Sequence, residues 1–242
     1  ISSKEKKKVI EQLANNKYKD KFILGTGVNS LNENIDLIKF SLQNGIDRFL
    51  LGVPAYYKFG NEGAYYFFAS LFKKVPEIKV ILYNFEKLFG YKFDAEIVKK
   101  LVKEFPQIKG LKDSSYNLYD NLNINREFLI FPGSEKYLLK GLEIGNSGII
   151  SAITNVTASL ARKVYDDFQN KKKQTFNDRL CLIREIFDKK NLISGLHSFL
   201  SFENEKYKKV LPPLSLLTKE EEKIMLDELK NLDFFPEKNI AA

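Results

Sequence analysis

The α/β character of the chain shows first in Ile108-Lys109-Gly110-Leu111-Lys112-Asp113-Ser114-Ser115. A short apolar run bounded by turn-forming residues predicts a buried parallel strand, and a lysine closes it. Lysine is rarely buried without a purpose, and an ammonium beside apolar residues loses solvation, which favours the neutral, nucleophilic amine. From this pattern Lys112 reads equally as a nucleophile or as a lysine snorkelling from a strand end to solvent.

The same kind of run recurs on both sides, at Phe22-Ile23-Leu24-Gly25, Phe49-Leu50-Leu51-Gly52-Val53, Val80-Ile81-Leu82-Tyr83, Phe128-Leu129-Ile130-Phe131 and Gly148-Ile149-Ile150-Ser151. Between the runs lie segments of helical spacing, such as Ile35, Leu37, Ile38 and Leu42, or Ile97, Val98, Leu101 and Val102. Strand alternating with helix implies right-handed βαβ units in an α/β fold. No Gly-x-Gly-x-x-Gly follows the first run, so the rhythm suits a (β/α)8 TIM barrel better than an open dinucleotide-binding sheet. Six strands are too few to close it. The chain opens directly on a helix, Ser3–Asn15, as though two earlier strands had been cut away.

Beyond residue 153 the strand signal fades. Ala158–Asn170, Lys172–Lys189, Leu192–Phe202 and Lys219–Leu229 carry helical patterns, the last capped by Thr218 with Glu221 at capping-box spacing. Pro212-Pro213 predicts an extended connection before it. The expected organisation is a partial barrel over 1–156, then a last barrel helix and a helical region over 157–242.

The 242 residues, 44% hydrophobic and 29% charged, suffice for one large core. No apolar stretch reaches the length of a membrane helix, and the N-terminus lacks a signal peptide's apolar centre, so a cytoplasmic protein without membrane attachment is expected. One cysteine, Cys181, cannot form an internal disulfide and reads as a small helical hydrophobe. One histidine, His197, argues against a metal site or a serine-hydrolase relay, and no cofactor is expected. The net charge of +8 comes mainly from scattered lysines, a solvated surface rather than a nucleic-acid stripe.

In a barrel the reacting groups stand at the C-terminal ends of strands. Tyr83 closes the run before that of Lys112, and its phenol is placed to pass protons to and from a carbinolamine there, although local sequence alone favours an ordinary strand tyrosine. Tyr56 and Tyr57 follow Val53-Pro54 at another strand end.

These residues also carry a resemblance. Tyr83-Asn84 resembles the Tyr-Asn strand, and Gly110–Ser115 the Gly-Ile-Lys-Asp-Ser-Ser block, of the dihydrodipicolinate synthase/N-acetylneuraminate lyase family. Phe22–Ser30 is similar to its Gly-Thr-Gly-Ser-Asn turn and Val53–Gly63 to its Pro-Tyr-Tyr loop. Pro132-Gly133-Ser134, Gly148–Ser151 with Asn155-Val156, and Leu211–Leu214 match later landmarks in order. The resemblance implies a Schiff-base lyase in which Lys112 forms an imine with pyruvate or a related 2-oxo acid. Tyr83 would shuttle protons, and Tyr57 would complete a relay into a neighbouring subunit of a homo-oligomer, dimer or tetramer. Tyr56, Asn84 and Ile150 would bind substrate or wall the pocket. A Gly-Thr-Thr-Gly-Glu segment that precedes the first helix in the family is absent, so the resemblance implies an N-terminal truncation. Family synthases have proline and then arginine after the Tyr-Asn pair; here Glu86 and Leu88 stand there, which counts against aspartate semialdehyde as partner. A catalytically inactive binding or assembly subunit is the alternative.

Overall fold

The structure, a computed structural model, describes residues 1–235 and divides into two compact units, Ile1–Pro132 and Gly133–Ala242. In the first, strands β1 (Leu24–Gly25), β2 (Arg48–Leu51), β3 (Lys79–Asn84), β4 (Ile108–Asp113) and β5 (Leu129–Pro132) form one sheet in the order β1-β2-β3-β4-β5. Every neighbouring pair is parallel. This is the α/β arrangement expected of a barrel-type sheet, open between β1 and β5.

Parallel strands need crossovers, and the sequence supplies them. Helices α1 (Ser3–Ala14), α2 (Leu31–Gln43), α3 (Asn61–Lys74), α4 (Glu86–Phe89) and α5 (Ala95–Glu104) accompany β1 to β4. Ser2 and Glu5 close a capping box on α1, Ser30 caps α2 and Asp94 caps α5 through the Ile97 N–H. Each such cap stabilises its helix by about 1 kcal/mol. On one face of the sheet Phe49, Leu51, Val80, Leu82 and Leu111 are buried against Phe68, Leu71, Val98 and Leu101 of the helices. Removing that apolar surface from water is what holds the helices down.

Two expectations need correction. The run Gly148–Ser151 forms no strand: Gly148 has φ 138, and the Ser151 hydroxyl instead accepts from the Ile153 N–H at the start of the next helix. Residues 114–128, between β4 and β5, form turns rather than a crossover helix, because Asp113 captures their N–H groups and asparagines at 117, 121, 123 and 125 favour turns.

The second unit is helical, with α6 (Leu138–Glu143), α7 (Thr154–Gln169), α8 (Asn177–Asp188), α9 (Leu192–Leu200) and α10 (Lys219–Lys230). Thr218 and Glu221 form the capping box expected on α10. Ile153, Ile183, Phe187, Phe199, Met225 and Leu229 build its core. Glu135, fully buried, accepts from Arg184 Nη1 at 2.9 Å, Ser151 Oγ at 2.8 Å and Thr157 Oγ1 at 3.3 Å. The compact units divide at Pro132/Gly133 and the sequence expectation was 156/157; the difference spans the Gly148–Ser151 run that forms no strand. Among the described residues no helix is long and apolar enough to cross a membrane.

Candidate active site

Parallel registration puts Tyr83 opposite Lys112, and Lys112 opposite Phe131, so all three side chains share one face at the C-terminal ends of β3, β4 and β5. That is the face opposite the one packed by α3 and α5, and Ile81 and Gly110 lie one step below. Lys112 Nζ stands 4.1 Å from the centroid of the Tyr83 ring, over its face. The contact is a cation–π one, which holds the amine and the phenol of adjacent strands together. The Tyr83 ring also meets Phe89 edge-on at 5.4 Å and Phe85 at 5.9 Å. Burial pushes the Tyr83 phenol above its ordinary pKa of 10.0, opposed by a side-chain hydrogen bond with Ser114. The phenol therefore keeps its proton at neutral pH and can donate it.

The next register pair, Asn84 and Asp113, points to the opposite face and is fully buried. Asp113 Oδ1 accepts from the backbone N–H groups of Ser115 and Tyr116 at 3.1 and 3.0 Å, and Oδ2 from those of Leu118 and Tyr119 at 2.8 and 2.9 Å. Asn84 Nδ2 donates to Asp113 Oδ1 at 2.9 Å and to Asn117 Oδ1 at 2.8 Å, while its Oδ1 accepts from the Phe93 N–H at 3.1 Å. Asn84, expected to touch substrate, is thus turned inward with its amide engaged by protein. Asp113 and Asn117 were not singled out in the sequence; the signal available was an aspartate followed by Ser114-Ser115, the composition of an Asx-type turn. Together these groups fix the backbone immediately after Lys112.

Beside Tyr83 lies a cavity of about 320 Å³ at the C-terminal ends of β1, β2 and β3. Thr26, Asn29, Leu50, Gly52, Leu88 and Phe89 contribute to its lining, and no lysine, arginine, aspartate or glutamate does. Lys6 of α1 donates to the carbonyls of Thr26 and Gly27 at 2.7 and 2.9 Å, and Thr26 Oγ1 donates to Asn34 Oδ1 at 2.5 Å. Asn29 Oδ1 accepts from the Ala55 N–H at 3.0 Å, tying the loop after β1 to that after β2. These loops were visible as strand ends in the sequence, but Asn29, Leu88 and Phe89 were not identified as one cavity because no local pattern encodes their convergence.

Tyr56 and Tyr57 do not join this group. They are 88% and 76% exposed, meet each other edge-on at 5.1 Å, and Tyr56 has φ 89, in the left-handed region rare for a bulky residue. Ile150 belongs to the second compact unit, half-buried in the irregular stretch before α7.

Residues 1–232 match the model of the dihydrodipicolinate synthetase family. The chain is 30% identical over 212 residues to the 2-dehydro-3-deoxy-D-gluconate/2-dehydro-3-deoxy-phosphogluconate aldolase of Picrophilus torridus, covering 79% of this chain and 78% of that protein. It is also 30% identical over 229 residues to the 4-hydroxy-tetrahydrodipicolinate synthase of Thermus thermophilus, covering 91% and 76%. Among solved structures, the dihydrodipicolinate synthase from Aquifex aeolicus superposes with a TM-score of 0.86 at 21% identity, covering 99% of this chain and 84% of that one. A prophage protein of the same family from E. coli, solved in complex with pyruvate, superposes with a TM-score of 0.86 at 20% identity, covering 97% and 83%. At such identities the superpositions speak for the fold, while the family rests on the sequence: the chain belongs to the dihydrodipicolinate synthetase family.

Proposed function

We propose that this chain is a class I aldolase or lyase in which Lys112 forms a Schiff base with pyruvate or a related 2-oxo acid. The observation that carries the reading is the Lys112 amine 4.1 Å from the ring of Tyr83 on the neighbouring strand end, Tyr83 being the residue of the pair that lines the cavity. In the proposed reaction the neutral Lys112 amine attacks the carbonyl carbon of the oxo acid. Tyr83 protonates the carbinolamine oxygen, which leaves as water, and the iminium forms. The Tyr83 phenolate takes a proton from the adjacent carbon to give an enamine, whose carbon attacks an aldehyde; the Tyr83 phenol returns that proton to the aldehyde oxygen, and water then hydrolyses the iminium, freeing Lys112 as the amine and restoring the Tyr83 phenol with the proton released. The retro-aldol direction reverses these steps.

The aldehyde we assign is one without a carboxylate. The cavity lining offers Thr26, Asn29 and backbone groups for hydroxyls, and Leu88 where a carboxylate would need a cation. One relative is named as a sugar-acid aldolase, which supports that choice. Tyr57 is assigned to a neighbouring copy's site in a homo-oligomer, a role consistent with its 76% exposure.

Hydrogen–deuterium exchange at the pyruvate methyl group in D2O, followed by NMR, tests the reading without knowledge of the aldehyde. The chain is expected to catalyse exchange, Lys112→Ala to abolish it, and Tyr83→Phe to slow it by about 10²–10⁴-fold. Exchange by the Lys112→Ala protein at the unaltered rate would remove Lys112 from the mechanism.

A further inference from the structure

A second cavity, of about 490 Å³, lies in the first unit between α5 and the connection to β5. Its position is at the N-terminal end of β4, since Arg126, one of its lining residues, donates through Nη2 to the Ile108 carbonyl at 2.5 Å. Lys112 stands at the other end of the same strand, so the proposed chemistry does not use this cavity.

Three cations, Lys99, Lys103 and Arg126, line it together with Asn123 and Asn125 and the apolar side chains of Val102, Pro106 and Ile124. No carboxylate is in the lining. Among the described residues none of the three cations is in an ion pair. Nearby Glu104 is engaged by the Tyr65 hydroxyl at 2.6 Å. Lys99 and Lys103 are one helical turn apart, a like-charge spacing that works against the helix unless an anion is shared between them. Lys103 lies in the last turn of α5, where it also offsets the helix dipole; Lys99, a turn earlier, is too far back for that.

We propose that this cavity binds an organic phosphate of mononucleotide size, with its phosphates on Lys99, Lys103 and Arg126 and its flat apolar body on Val102, Pro106 and Ile124. The volume falls within the range of roughly 300–1,000 Å³ usual for small-molecule sites. Isothermal titration of the purified chain at low ionic strength with ATP, inorganic triphosphate and adenosine tests it. ATP is expected to bind, with triphosphate and adenosine each weaker by about tenfold or more. The double variant K99Q/K103Q, both exposed positions outside the proposed catalytic group, should weaken ATP by about tenfold or more. The control K172Q/K173Q, which removes the same charge from an exposed turn elsewhere, should change it by less than about twofold. Absence of ATP binding, triphosphate binding as tightly as ATP, or equal weakening by both double variants would overturn the proposal. Pyruvate exchange is independent of the site and reports separately on Lys112.

Discussion

Asp113 is a carboxylate whose water has been replaced by protein: four backbone N–H groups and the Asn84 amide converge on it within 2.8–3.1 Å. Asp113→Asn would turn an NH2 group toward N–H donors, leaving buried groups unpaired and one charge-assisted set lost. A destabilisation of about 2–4 kcal/mol is expected from urea unfolding, with the turn after Lys112 loosened; an unchanged midpoint would show that the turn holds itself. Tyr91 offers a test by pH. Its phenol donates to Asn61 Oδ1 at 2.7 Å, and burial, followed by the charge of Asp94, pushes it up from 10.0 to about 12. The fold therefore prefers the protonated form. Stability should be intact below about pH 10 and decline as pH rises toward 12, and Tyr91→Phe should flatten that slope. At this scale the strand-end placement of Lys112 and Tyr83 was legible because each ends an apolar run. The inward direction of Asn84 and Asp113 was not legible, because it depends on which face of a strand is packed by α3 and α5.

At the scale of elements, the strands were legible where apolar residues were continuous, and misleading where glycine intervened. Ile108–Leu111 and Gly148–Ser151 look alike as text, yet Gly110 lies in a ladder while Gly148 takes φ 138 and breaks one. Gly110 is where β4 and β5 come close: a Cβ there would overlap the Leu129 carbonyl oxygen and crowd Ile81 Cδ1. Because backbone cannot move aside cheaply, Gly110→Ala is expected to cost about 1–3 kcal/mol and to disturb Lys112 two residues on. Chemical denaturation checks the first part, and a wild-type midpoint would contradict it. The absence of a helix from the crossover between β4 and β5 could not be read from hydrophobic spacing, since the decisive interaction is a carboxylate on the strand itself.

For the whole molecule, what the sequence carried best was order. The Tyr83-Asn84 pair, the Lys112 block and the later proline and glycine landmarks follow one another with spacings that placed the chain in its family, where no one tetrapeptide would have sufficed. Composition narrowed the chemistry further, because one histidine argues against a metal site or a serine-hydrolase relay. In the proposed reaction Lys112 is the amine that becomes covalently attached to an oxo acid. The most direct measurement is borohydride reduction of the protein in the presence of pyruvate, followed by peptide mass spectrometry. One reduced pyruvyl adduct is expected, on the peptide containing Lys112, disappearing in Lys112→Ala and persisting in Tyr83→Phe. An unmodified Lys112 peptide, or an adduct on another lysine that survives Lys112→Ala, would contradict it.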